Sequence, residues 1–64
     1  MNKIREMRKM AGMSVEHLAE MAHITIASVY RYERGDRMPN IATASAIAAA
    51  LGCTIDDLYE RKEA

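Results

Sequence analysis

Little in this sequence offers reaction chemistry. Cys53 is the lone cysteine, so neither a disulfide framework nor a thiolate metal cluster is available. A domain this small without disulfides suits a reducing compartment, and the expected location is cytoplasmic. Tryptophan and phenylalanine are absent, and three tyrosines (Tyr30, Tyr32 and Tyr59) are the only aromatics. Pro39 is the sole proline. No apolar run approaches membrane-spanning length, and the charged N-terminus has no signal-peptide core, so no membrane association is expected. The two histidines, His17 and His23, have no cysteine nearby, which excludes zinc-ligand spacing and a base–nucleophile pair. There is no glycine-rich phosphate loop, and Asp56-Asp57 is better explained by capping than by metal. No cofactor and no enzymatic activity are expected.

What is present is helix-forming material. Half of the 64 residues are apolar, many of them Ala and Met, which excludes a disordered chain. Ala, Met and long charged side chains favour helix, and no stretch alternates as a strand would. The chain has no repeat, linker or low-complexity tail, so residues 1–64 are expected to form one all-α domain. A domain of this size buries only roughly 60% of the surface its unfolded chain exposes, so capping should count heavily.

The punctuation predicts five helices. The first runs from Asn2 or Lys3 to Met10, with Ile4 and Met7 on one face, Met10 or Ala11 extending it, and Gly12 at the stop. Met13 is expected to plug the core from the loop. Ser14 caps the second helix, Val15 to Met21 or Ala22, which turns Leu18 and Ala22 inward. Ala22-His23-Ile24 is the tight turn before Thr25, which caps a third helix ended by Gly35. These two short helices make a helix-turn-helix unit. Asn40, after Pro39, caps a fourth helix, Ile41 to Leu51, whose inner stripe reads Ile41, Ala44 (or Ser45), Ile47, Ala48 and Leu51. Met38 suggests a loop anchor. After Gly52, Thr54 and Asp57 form a capping box for a fifth short helix with Ile55, Leu58 and Tyr59, and residues 61–64 are expected to fray.

Nine Lys and Arg balance nine Asp and Glu, so the net charge says nothing for or against nucleic acid. The distribution is uneven. Lys3, Arg5, Arg8 and Lys9 crowd the start against Glu6 alone, and residues 31–37 carry Arg31, Arg34 and Arg37 against Glu33 and Asp36. Asp56, Asp57, Glu60 and Glu63 make the end acidic.

Taken together, Ile4-Arg5-Glu6-Met7-Arg8, Ala11-Gly12-Met13-Ser14, Leu18-Ala19-Glu20, Ile24-Thr25, Tyr30-Arg31-Tyr32-Glu33-Arg34-Gly35, Pro39-Asn40 and the run from Ala48 to Leu58 resemble the Cro/C1-type helix-turn-helix family. The resemblance covers about the whole chain. It implies a compact five-helix lambda-repressor-like domain that binds double-stranded DNA, with the third helix in the major groove. It also implies roles. Thr25 caps the helix and brings amides towards a phosphate. Ile26 and Ala27 stand where relatives often place polar base-reading residues. They cannot form bidentate pairs. Either they contact a thymine methyl, or the readout moves along the helix, or Ile26 belongs to a protein-binding surface.

Ser28, Tyr30 and Arg31 then become the better candidates for bases or phosphate, with Arg34, Arg37 and Asn40 near the backbone. Tyr32 should pack inward, and Glu33 should pair with Arg5 or Arg8. Val15 replaces a common glutamine, for which His17 would be a substitute, and His23 replaces the usual small turn residue, which calls for a positive φ. The expected function is transcriptional regulation, as a repressor acting directly at a promoter. Homodimerisation through the fourth and fifth helices, with Leu58 and Tyr59 as candidates, would suit a palindromic site. The alternative is a protein-interaction module, an anti-repressor or antitoxin-like partner, supported by apolar Val15, Ile26 and Ala27.

Overall fold

A computed structural model of the chain describes residues 2–59. The expected fraying of residues 61–64 lies outside them. Four α-helices follow in order: α1 Ile4–Met10, α2 Val15–Ala22, α3 Ile26–Arg34 and α4 Ile41–Leu51. The side chains of Ser14, Thr25 and Asn40 accept the amides of His17, Ser28 and Thr43 at 3.0, 3.0 and 2.8 Å, so three of the four starts are capped as the sequence implies.

The expected fifth helix is corrected to a single 3₁₀ turn, Asp56–Leu58. Thr54 and Asp57 do form the reciprocal capping box, at 3.0 and 3.2 Å. The turn cannot lengthen, because Tyr59 is already extended (φ −122°, ψ 144°) and bridges antiparallel to Asn2. The same tie shortens the first helix. Lys3 donates its amide to Leu58 O at 2.6 Å and has non-helical dihedrals, so α1 begins at Ile4. Asn2 supplies the cap instead, its Oδ1 accepting from Ile4 N at 3.0 Å.

α2 packs chiefly against α4 and α3, and α1 against α3. Ile4, Leu18, Ile47 and Leu58 are fully enclosed, with Val29 nearly so. Around them pack Val15, Ala19, Ala22, Tyr32 and Ala48, and small alanines on facing helices allow close approach. Met13 and Ile24 pack against this cluster as expected.

Several expected core positions are exposed. Met10 and Ala11 both face solvent, so the apolar face of α1 ends at Met7. Ile41 is 82% exposed, and the buried row of α4 begins one turn later at Ala44. Met38 does not anchor its loop. The neighbouring Pro39 is the buried residue there. Leu58 is fully buried and so drops out of any dimer surface. Cys53 is half-buried, and burial, with a smaller contribution from Asp57, pushes its thiol pKa up, favouring the unreactive protonated form.

The turn between α2 and α3 sets their relation. His23 adopts the left-handed conformation, φ 57° and ψ 42°. Ile24 N donates to Ala19 O and His23 N to Glu20 O, the paired pattern that closes a helix end. His23 is the only non-glycine residue with positive φ among those described. The conformation costs an L-residue about 1–2 kcal/mol, part of which glycine returns through its freer unfolded state. His23→Gly is therefore expected to stabilise the fold by about 0.5–1 kcal/mol. A thermal melt checks this, and a lower melting temperature would show that the histidine side chain contributes something glycine lacks.

Candidate nucleic-acid interface

α3 is divided lengthwise. Val29 and Tyr32 point into the core, and Ile26, Ala27, Tyr30 and Arg31 are exposed. This agrees with the three- and four-residue spacing of the sequence. Ile26 and Tyr30, four residues apart, are 43% and 44% exposed. Ser28 is half-buried. Its amide and hydroxyl are both bonded to the Thr25 hydroxyl, the two oxygens 2.9 Å apart.

The orientation of α3 is held by a charged cluster. Glu33 has no exposed side-chain surface. Arg8 Nε donates to Glu33 Oε2 at 2.7 Å, Arg8 Nη2 to Oε1 at 3.4 Å, and Arg5 Nε to Oε1 at 3.3 Å. Arg8 Nη1 also donates to Met13 O at 2.8 Å, joining the loop before α2 to the same cluster. Sequence reasoning expected Arg5 or Arg8. The structure uses both, three residues apart on one face of α1. Hydrogen bonding to Glu33 raises the Arg8 guanidinium pKa, against an opposing effect of burial and with smaller contributions from the Glu33 charge, Tyr30 and Glu16. A raised folded pKa keeps its stabilisation at every pH below the ordinary arginine value, and it is lost only above that.

A further tie had no sequence signal. Asn2 Nδ2 donates to Tyr32 O at 2.7 Å, in the last turn of α3. That pairing spans 30 residues, and Asn2 also bridges to Tyr59.

The cations now divide. Arg5 and Arg8 are committed to Glu33, which thins the basic face expected of the first helix. Arg34 Nε pairs with Asp36 Oδ2 at 2.9 Å, both side chains more than half exposed, an interaction that costs little to break. Arg31 and Arg37 are exposed and form no ion pair among the described residues. Arg31 lies on the outer face of α3, and Arg37 in the loop beyond it. Asn40 is exposed, but its Oδ1 is used by the α4 cap. Val15 is buried in the core, so its position offers no contact, whereas His17 in the same turn is exposed. Among the described residues, no group of three His, Cys, Asp or Glu is placed to hold a metal ion. None of the helices there is long and apolar enough to cross a membrane.

Two capped helices, a left-handed turn and an outward face on the second helix therefore stand in one fixed unit. A helix-turn-helix family model matches residues 4–58, from the first buried residue of α1 to the end of the 3₁₀ turn. The chain belongs to the Cro/C1-type helix-turn-helix family. Similar proteins include an uncharacterized HTH-type transcriptional regulator, YgzD, of Bacillus subtilis (strain 168). It is 32% identical over 62 residues, which are 97% of this chain and 94% of that protein. An uncharacterized HTH-type transcriptional regulator of Methanothermobacter thermautotrophicus is 39% identical over 57 residues, 88% of this chain and 83% of that one. The HTH-type transcriptional regulator DdrOP3 of Deinococcus deserti is 31% identical over 61 residues, 95% of this chain. There the chain spans only about half of the relative's length, 47%.

Proposed function

We propose that this chain binds double-stranded DNA sequence-specifically through α3 and regulates transcription, as a repressor that occupies a promoter directly. The observation that carries this reading is the exposed face of α3, Ile26, Ala27, Tyr30 and Arg31, on a helix held by two caps and a buried carboxylate. A rigid helix of about two and a half turns fits a major groove, and Arg31 brings a planar charged donor suited to guanine or phosphate. Thr25, Ser28, Arg34, Arg37 and Asn40 border that face, with Arg37 the best placed for backbone contact because no carboxylate among the described residues engages it. Residues 1–64 act as one domain in this scheme. Two copies on a palindromic site, about one helical turn apart, would supply the affinity that a single small domain lacks. With Leu58 enclosed, a dimer face around α4 and the 3₁₀ turn falls to Tyr59 and the exposed alanines.

The second reading, a protein-interaction module with this fold, is favoured by one observation: two of the four N-terminal cations are already paired internally. A salt titration against random duplex DNA separates the two. Lys3, Lys9, Arg31 and Arg37 set an expected slope of log affinity on log salt of up to about −3 to −4 per chain, at roughly 0.9 per phosphate neutralised. Absence of binding at low ionic strength would sink the DNA reading. Selection from random duplexes then returns the half-site and its spacing.

A further inference from the structure

We propose that the first turn of α3 reads the C5 methyl group of pyrimidines, with Ile26 and Ala27 as the specificity-determining residues. The proposal rests on the DNA-binding reading above and deepens it. Both side chains are exposed, and neither has a hydrogen-bond donor or acceptor. The two hydroxyls of that turn do not replace them. Thr25 Oγ1 accepts the Ser28 amide at 3.0 Å and lies 2.9 Å from Ser28 Oγ, so cap and neighbour are bonded to each other. Ser28 is also half-buried, behind the exposed row. Tyr30 continues the apolar strip one turn further.

The major-groove edge offers such a surface one apolar feature, the pyrimidine C5 methyl. Thymine carries it, and so does 5-methylcytosine. A side chain that makes no hydrogen bond does not distinguish them by their exocyclic groups, so methyl presence is what it senses. Arg31 supplies the complementary polar contact. It lies five residues beyond Ile26, about 7.5 Å along the axis at about 1.5 Å per residue.

The experiment starts from duplexes selected out of a random pool by the full chain. Each thymine of the winning duplex is replaced in turn by deoxyuridine, which removes only the methyl. One or two positions are expected to lose about three- to five-fold in affinity, the effect of one buried methyl. Ile26→Ser or Ala27→Ser should erase that penalty at its own position. Both residues are exposed, so neither substitution empties the core. A second arm places cytosine and then 5-methylcytosine at the sensitive position. Recovery with 5-methylcytosine but not with cytosine supports the proposal, and no recovery overturns it, because methyl presence is then not what the turn senses. Deoxyuridine tolerated at every position of a selected duplex overturns this proposal and leaves the DNA reading standing. A penalty that persists in both serine variants also overturns it, because the methyl is then read elsewhere. Selection that enriches no sequence overturns both.

Discussion

Replacing Glu33 with alanine is expected to lower stability by about 2–4 kcal/mol, or roughly 10–25 °C in melting temperature for a domain this size. The carboxylate is wholly enclosed and accepts from both Arg5 and Arg8. Removing it strands the Arg8 guanidinium, whose side chain is only 11% exposed. Breaking a buried pair from one side costs about 3–5 kcal/mol in general. The lower figure applies here because Arg5 is 57% exposed and regains water. A chain of 64 residues has about 3–10 kcal/mol in all at about 0.05–0.15 per residue, so the variant should be partly unfolded at 37 °C. The ranking is diagnostic. Arg8→Ala should cost less than Glu33→Ala, since the stranded carboxylate keeps Arg5. Arg5→Ala should cost no more than about 1 kcal/mol. A Glu33→Ala protein that melts within a few degrees of the wild type would show that water or a rearranged side chain satisfies Arg8. Because the cluster joins α1, the loop at Met13 and α3, the same variant should lose DNA affinity at temperatures where it is still folded.

Arg31→Ala is expected to weaken specific DNA binding by about 1–3 kcal/mol, roughly 5- to 150-fold, while leaving the melting temperature nearly unchanged. Arg31 is exposed, stands on the outward face of α3 and has no ion pair among the described residues, so nothing in the fold depends on its charge. Its neighbour Arg34 is the internal control. Pairing with Asp36 at 2.9 Å already occupies it, and Arg34→Ala should change affinity much less. Two readouts assign the contact. Base reading relaxes discrimination at one position of the site. Phosphate contact weakens all sequences alike and reduces the salt slope by about 1. Equal affinities for wild type and Arg31→Ala on a selected duplex would remove Arg31 from the interface and shift the readout to Tyr30 and the first turn.

The local elements were legible because their signals are local. Ser14, Thr25 and Asn40 are short polar residues before apolar rows, and each caps a helix through an amide three residues away. Gly35 and Gly52 close α3 and α4 in the left-handed conformation, and His23 accepts it at the turn. Tyr32 packs inward as expected, and Tyr30 and Arg31 stand outside. Hydrophobicity alone misplaced Met10, Met38 and Ile41. An apolar side chain at the end of an element is buried only if another element reaches over it, and no local pattern reports that.

The long-range ties belong to the tertiary structure alone. Asn2 bridges to Tyr59 and bonds to Tyr32, and this pairing starts α1 late and turns the expected fifth helix into one 3₁₀ turn. Likewise, charge counting made Arg5 and Arg8 part of a basic face, whereas packing of α1 on α3 spends both on Glu33. The sequence by itself determined α2, α3 and α4 with their caps, all set by contacts within a few residues, while its expected fifth helix did not form. The tertiary structure decided which cations remain available and how Asn2 pairs with Tyr59, because those depend on residues about 25 to 57 positions apart arriving at the same place.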